Sequence, residues 1–555
     1  MSSTSAATMA ERSAGMRLSI ADPADRLFMA AVAVWLIQAA YMVWHVDSWL
    51  DEGLYLIKSA AYFSGQVQPY SPDDATSYPP LYFYVLGAAQ SLFGQSHLTG
   101  RLLSVFLSLC TLFLLRRAAD RCLRDRLAGS LAVLLYAANP MIVAYMSTAT
   151  PYAIVTLLTL ASFLVATETK PLHPLLQTAM MGVLAAALVL IRLNLVITLP
   201  MFAALHLLVR GDAPKRALAT LAEAGLLMGA CLAFSIAIFG HGLLETLTFL
   251  PGLSQILWRL TDVGTEMHDV LTLTRSPTDL QFSWTAVREV VNHHFLQLYP
   301  ALLLPALPGG LLSVAYFRRL PLACFCAVYF GVMTLVHLFG SQSYCPPCLM
   351  AYANYFLPFA AIPASLFLMT VGARIPASTA RTGLILFVLA ANAYVASKSR
   401  LGMLVPNWWS NPIVNVQSLA QSLKPLLPDG RILVLSSKYQ PVQAVWIAGR
   451  FVEPYSVSLF PNLREPLDGL DPKTLAKARH ALQMRGFRDT IALVEDLKRP
   501  TAAVVLQEGP PLGDMLAQYL GKPNAEQVES TLHERYSKAG VASGSNTTVS
   551  VWLPK

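Results

Sequence analysis

The stretch DSWLDEGLYLIKSAAYFSG, residues 47–65, brings together groups able to move a proton: Asp47, Asp51 and Glu52, followed by Tyr55 and Lys58. Leu54, Ile57 and Ala61 follow helical spacing, and acids at a helix start favour its dipole, so the stretch reads as an amphipathic helix. Asp51, Tyr55 and Lys58 then share one face, at i, i+4 and i+7. That face offers a carboxylate, a phenol and an amine. A plainer reading competes with it, in which Asp51 caps the helix and Lys58 reaches up to lipid phosphates. Three neighbouring acids could also hold a divalent cation through oxygen. Nothing else in the chain has ligand spacing, so no metal or cofactor is expected.

These residues stand just after a long apolar segment, 27–45, and similar segments recur along most of the chain. Of 555 residues, 55% are hydrophobic and 13% charged, against about a quarter charged in a soluble domain. Runs of roughly twenty apolar residues favour a helical membrane bundle over a β-barrel. About eleven crossings are expected, near 27–45, 101–116, 127–146, 151–168, 176–191, 193–209, 217–240, 296–317, 320–340, 353–373 and 381–397. The segment PPLYFYVLGAAQSLFG, 79–94, is short and opens on paired prolines, so it is read as an interfacial helix with its aromatic residues at headgroup depth.

With 79–94 left out of the crossings, Arg116, Arg117, Arg121, Arg124, Arg126, Lys170, Arg210, Lys215, Arg216, Arg318, Arg319, Arg374 and Arg381 fall on the side of the N-terminus. The positive-inside rule makes that side cytoplasmic and puts the opening acids outside. The net charge of +8 is thereby explained, and it does not suggest nucleic acid. The expected organisation is a cytoplasmic tail over 1–26, read as preceding a retained anchor, and a transmembrane domain over 27–400 with external loops at 46–100 and 241–295. An external α/β domain over 401–555 follows from RILVLSS, AAVVLQE and TVSVWL, strand-like runs set among helix-like stretches such as DPKTLAKARHALQMRG.

The order DSWLDEGLYL, YPPLYFYVLGAAQSLFG, GRLLSVFLS, with an Arg-rich turn after it, resembles the GT-C membrane glycosyltransferases. The similarity is to the family 39-like group that includes protein O-mannosyltransferases and the lipid A aminoarabinose transferases, and it runs over roughly 27–210. The resemblance implies a GT-C fold in a bacterial inner membrane and a sugar donor carried on polyprenyl phosphate. It also implies inverting transfer to a hydroxyl of a glycolipid, polysaccharide or protein on the periplasmic side. Within it, Asp51 is the implied base, with Glu52 orienting the acceptor or supporting the site.

Such a reaction needs a positioned base for the acceptor and positive charge against the departing phosphate. Relatives often carry Lys before the paired prolines, where this chain has Tyr78, and several carry an acid where this chain reads MSTATPY. Asp73 and Asp74 read as turn residues. Arg192 is the first choice for the phosphate, because a guanidinium at the end of an apolar run is costly without a partner; Lys58 and Arg101 stand behind it. Asp47, Tyr55, Tyr78 and Tyr82 are expected to line the substrate pocket, His293 to stand in a wall from loop 241–295, and Tyr352 and Asn354 to approach the lipid donor. Cys345 and Cys348 fit a short structural disulfide in an oxidising compartment. Two other functions share the hydropathy pattern: a lipid or sugar transporter or flippase, and a non-catalytic scaffold of the same fold.

Overall fold

A computed structural model describes residues 21–46, 52–70, 79–168, 174–211, 213–240, 243, 288, 291–292, 297–342, 352–374, 414–436, 439–449, 490–509, 522–544 and 547–555, with scattered positions between 379 and 394. Helix α1 (Pro23–His45) starts on Pro23, with Asp22 capping the amide of Ala24. Two short helices follow, α2 (Glu52–Phe63) and α3 (Leu81–Phe93), and then the long α4 (His97–Leu123). Next come α5 (Arg126–Ala137), α6 (Pro140–Met146), α7 (Tyr152–Ala166), α8 (Pro174–Ile191), a 3-10 turn (Leu193–Ile197), α9 (Thr198–Val209) and α10 (Pro214–Phe239). The remaining bundle helices are α11 (Pro300–Ala315), α12 (Pro321–Gln342) and α13 (Leu357–Gly372).

Among the described residues, α1, α4 and α10 are each long and apolar enough to cross a membrane, and seven shorter apolar helices accompany them. Leu218, Leu226, Phe234 and Ile238 lie exposed along α10, a surface that suits lipid rather than water. The segment 127–146, read from sequence as one crossing, is broken: α5 and α6 meet at 76°. The cause is Asn139-Pro140. Proline starts a helix well but disfavours helical backbone in the residue before it. Asn139 accepts from the amides of Met141 and Ile142 as an N-cap and donates from Nδ2 to the Leu298 carbonyl at 2.9 Å.

Ion pairs gather the basic clusters at one end of the bundle. Asp25 of α1, 1% exposed, bonds both Arg116 of α4 and Arg126 of α5. Arg121 reaches Glu168 at 2.8 Å, and Arg210 donates to the Glu168 carbonyl at 3.0 Å. At the opposite end, Arg101 at the start of α4 donates to the carbonyls of Met42, Val43 and Val46 at the close of α1. The chain therefore enters and leaves 46–100 at the same end of the bundle. Helix α3 packs back on α2, with Gly87 against the Ser59 carbonyl and Gln90 Nε2 donating to the Leu56 carbonyl at 3.0 Å.

The C-terminal residues form α14 (Val414–Leu423), β1 (Ile432–Leu435), α15 (Tyr439–Ile447), α16 (Thr490–Lys498), β2 (Ala503–Gln507), α17 (Lys522–Arg535), β3 (Tyr536–Gly544) and β4 (Thr547–Pro554). The sheet order is β1-β2-β4-β3, parallel between β1 and β2 and antiparallel elsewhere. Strand alternation divides its apolar side chains between two cores. Leu433, Leu435, Val504 and Leu506 pack with α16 and α17, whereas Ile432, Val434, Ala503 and Val505 belong to the large cluster that runs on into the bundle. Helices α14 and α15 contribute to that same cluster through Leu419, Leu423, Val442 and Val445.

Candidate active site

Helix α2 is not a half-exposed surface helix: every residue from Glu52 to Tyr62 is buried. Glu52 is 0% exposed and meets Arg101, itself 1% exposed, in a two-pronged pair. Arg101 Nε donates to Oε1 at 2.7 Å and Nη2 to Oε2 at 2.6 Å. The amide of Ala149, in the turn after α6, adds a third bond to Oε1 at 2.9 Å. Gly100 makes room for this, since a Cβ there would run into Ala149 and Leu56. Burial alone would raise the Glu52 carboxyl, but the charge and hydrogen bonds of Arg101, the nearby His97 and the Ala149 amide hold it below the ordinary range.

Glu52 and Arg101 thus tie together the end of α1, the start of α2, the start of α4 and the turn before α7. A cation bound to Glu52 would compete with a guanidinium already on both oxygens. Arg101, which the sequence sets behind Arg192 as a phosphate candidate, bonds Glu52 and three main-chain carbonyls. Its position at the first turn of α4, opposite the last carbonyls of α1, is what places it there.

Arg192 occupies the joint between α8 and the 3-10 turn and is 8% exposed. Its Nη2 donates to the Tyr55 hydroxyl at 2.7 Å, and its guanidinium carbon stands 5.9 Å from the Tyr55 ring and 5.7 Å from that of half-buried Tyr352. Tyr352 stacks on Tyr355 at 5.8 Å, and Tyr355 packs on Tyr152 at 5.8 Å. Two sequence candidates far apart in the chain, Tyr55 and Tyr352, are thereby brought to a third.

Lys58 departs from the lipid-reaching reading. It is 0% exposed, with Nζ 5.3 Å from the Tyr62 ring and 5.4 Å from that of Phe83. Phe83 of α3 packs over this face of α2. Tyr82 is buried in the same contact, 5.5 Å from the Tyr55 ring, and its hydroxyl is held neutral by burial. Asn354 is fully buried, and its carbonyl accepts from Thr156 Oγ1 at 3.2 Å. Asp47, Asp51, Tyr78, His293, Cys345 and Cys348 lie outside the described residues, as do Asp73 and Asp74.

Sequence reasoning missed Ala149 and the aromatic surroundings of Arg192 supplied by Tyr152 and Tyr355. The amide of Ala149 has no side-chain signature; the tyrosines in TPY and YANYF were a usable signal.

No protein-family model matches the chain, and no curated protein matches it. Among solved structures, the chain is similar to ArnT from Cupriavidus metallidurans bound to undecaprenyl phosphate, with a TM-score of 0.54 and 15% identity over 95% of this chain and 97% of that one. The apo state of the same protein gives a TM-score of 0.48 and 14% identity, again over 95% of this chain and 97% of that one. Over 95% of its length the chain therefore carries an ArnT-like fold.

Proposed function

We propose that the chain is an inverting glycosyltransferase that moves a sugar from a polyprenyl-phosphate donor to a hydroxyl acceptor. The observation that carries this reading is the Arg192–Tyr55 bond. It fixes a buried cation to α2, the helix that follows Asp51 in the sequence. The likeness to ArnT, a protein solved with undecaprenyl phosphate, supports the same class of donor.

In this mechanism the Asp51 carboxylate takes the proton of the acceptor hydroxyl as its oxygen attacks the anomeric carbon from the face opposite the phosphate. The bond between that carbon and the phosphate oxygen breaks, and the polyprenyl phosphate leaves as an anion. Arg192 stabilises the charge that builds on it, and Tyr55 and Tyr352 hold the guanidinium in place. Glu52 and Arg101 act by fixing the start of α2. No metal or cofactor takes part.

The same reading gives about eleven crossings, with the end rich in basic residues in the cytoplasm of a bacterial cell and the acids, loop 241–295 and residues 401–555 in the periplasm. The acceptor is a glycolipid, a polysaccharide or a protein.

The test has two arms. A deletion strain is expected to accumulate the lipid-linked sugar donor, which the wild-type gene clears and Asp51→Asn does not; an Asp51→Asn that clears it normally removes Asp51 as the base. In detergent, Arg192→Ala is expected to weaken undecaprenyl phosphate binding by about tenfold or more, the scale of a lost charged hydrogen bond. Equal affinity in both proteins refutes the phosphate role.

A further inference from the structure

One end of the C-terminal sheet opens on a cavity of about 720 Å³. Strands β1, β2 and β3 begin at this end and β4 finishes there, which brings Arg431, Arg499, Arg535 and Lys555 into one lining. Glu534 is the one acidic side chain that faces it. Gly430 stands on the rim at a φ of 121°, and a Cβ there would come 3.0 Å from the Ala502 Cβ, a conformation and an approach that favour glycine.

The cations are held in place. Arg431, 19% exposed, donates from Nη1 to Thr501 Oγ1 at 3.1 Å, and Thr501 donates in turn to the Arg499 carbonyl at 3.1 Å. Asp496, 2% exposed, stands 3.6 Å from Nη2 of Arg431 and 3.6 Å from Nη1 of Arg499, so one carboxylate orients two guanidiniums. Tyr536 donates to the Leu497 carbonyl at 2.9 Å, which pins the start of β3 to α16. Lys555 Nζ donates to the His533 carbonyl at 2.6 Å, a neutral partner that leaves its charge intact. Among the described residues no acid stands within ion-pair distance of Arg535 or Lys555. Like charges that line one cavity repel one another, and an anion that enters relieves the repulsion.

We infer that this cavity is a binding site for a sugar acid, a saccharide that carries a carboxylate. The arginines and the lysine only donate, and a planar guanidinium meets a carboxylate with two parallel bonds. Glu534 only accepts, which suits sugar hydroxyls. A ligand that answers both is a hydroxylated anion. Glu534 and Asp496 also reduce the positive charge left for a ligand, so a single negative charge fits better than the two of a phosphate monoester, which is costlier to desolvate. The volume falls within the roughly 300–1,000 Å³ of small-molecule sites, and Pro500, Ala502 and Pro554 give apolar surface for the ring. The site shares no residue with the proposed transferase centre.

The test is calorimetric titration of the full-length protein in an uncharged detergent. Glucuronate is expected to bind at least about fivefold more tightly than acetate or glucose 1-phosphate, a margin of one hydrogen bond or so, and glucose to give no saturable heat. Arg535→Gln and Lys555→Gln, both at exposed positions that tolerate substitution, should each weaken glucuronate binding by about tenfold, the scale of one lost charged hydrogen bond. Glu534→Gln removes a like charge and should move the preference toward glucose 1-phosphate. Arg192→Ala should leave glucuronate affinity within about twofold, since distant sites act independently; the two sites therefore fail or stand separately. Glucuronate that does not bind at about 10 mM, weaker than the millimolar range, overturns the inference. So does a glucuronate affinity unchanged in the Arg535→Gln, Lys555→Gln double variant, and so does tighter binding of glucose 1-phosphate to the wild type. Should Arg535→Gln not accumulate, Lys555→Gln decides alone: weakened binding supports the site and unchanged binding ends it.

Discussion

Removing the guanidinium of Arg101 should damage the protein more than removing the charge of its partner. Arg101→Ala deletes both bonds to a carboxylate that is 0% exposed and the donors to Met42, Val43 and Val46. Glu52 keeps the hydrogen bond from the Ala149 amide and the nearby His97. Breaking a buried pair in this way costs about 3–5 kcal/mol. At about 2 °C per kcal/mol for a cooperative unit of roughly 250 residues, the expected fall in Tm is roughly 6–10 °C.

Glu52→Gln is milder. One oxygen still accepts from Arg101 Nε and from Ala149, while the new amide nitrogen faces a donor, a loss of about 1.5–3 kcal/mol or roughly 3–6 °C on the same scale. Thermal unfolding of the detergent-solubilised protein, followed by tryptophan fluorescence, gives both values and that of the double variant. The double should be less destabilised than the sum, since once one partner is gone the other has no pair to lose. Arg101→Ala within about 1 °C of wild type would refute the argument, and strict additivity would refute the pairing.

Two further outcomes follow from the same geometry. The Glu52 carboxyl is held below its ordinary value of 4.5, so its stabilisation is fully present above that value and is lost as the pH falls through the lower, folded-state one. The Tm difference between wild type and Glu52→Gln should therefore stay constant from neutral pH to about 4.5 and shrink only below it; a difference that fades between pH 7 and 5 would place the titration elsewhere. Asn139→Ala removes both the cap of α6 and the bond to Leu298, a loss of about 2–3 kcal/mol. Asn139→Asp, which keeps the cap, should recover part of it in the same melting assay.

The bundle was legible in the sequence because apolar length and charge sidedness are one-dimensional signals. Val46 and Arg101 stand together at one end of the bundle, and Arg116, Arg121 and Arg126 meet acids at the other. Two features of Asn139-Pro140 were also written there, a cap and a helix-starting proline, yet hydropathy averaged across them and hid the bend. The surroundings of Lys58 were not legible. Whether an amine at headgroup level sees lipid or Tyr62 and Phe83 depends on α3 folding over α2, a tertiary event. Strand β3, YSKAGVASG, escaped because glycine, serine and lysine dilute its alternation and a bulge between Lys538 and Gly540 shifts its register. The pairing of Arg192 with Tyr55 joins residues far apart in the chain, and only the cost of a buried guanidinium hinted that some partner must exist.

One hydrophobic cluster runs from the helices into the near side of the sheet through Val434, Val442 and Val505. A tail cut off and expressed by itself would present that side to water and be prone to aggregate. A tail borrowed from a related protein would meet a rim shaped for another surface. Exchanging this C-terminal segment between chains of the same fold therefore requires rewriting both sides of the seam together, including the place where Gly53 meets Gln443.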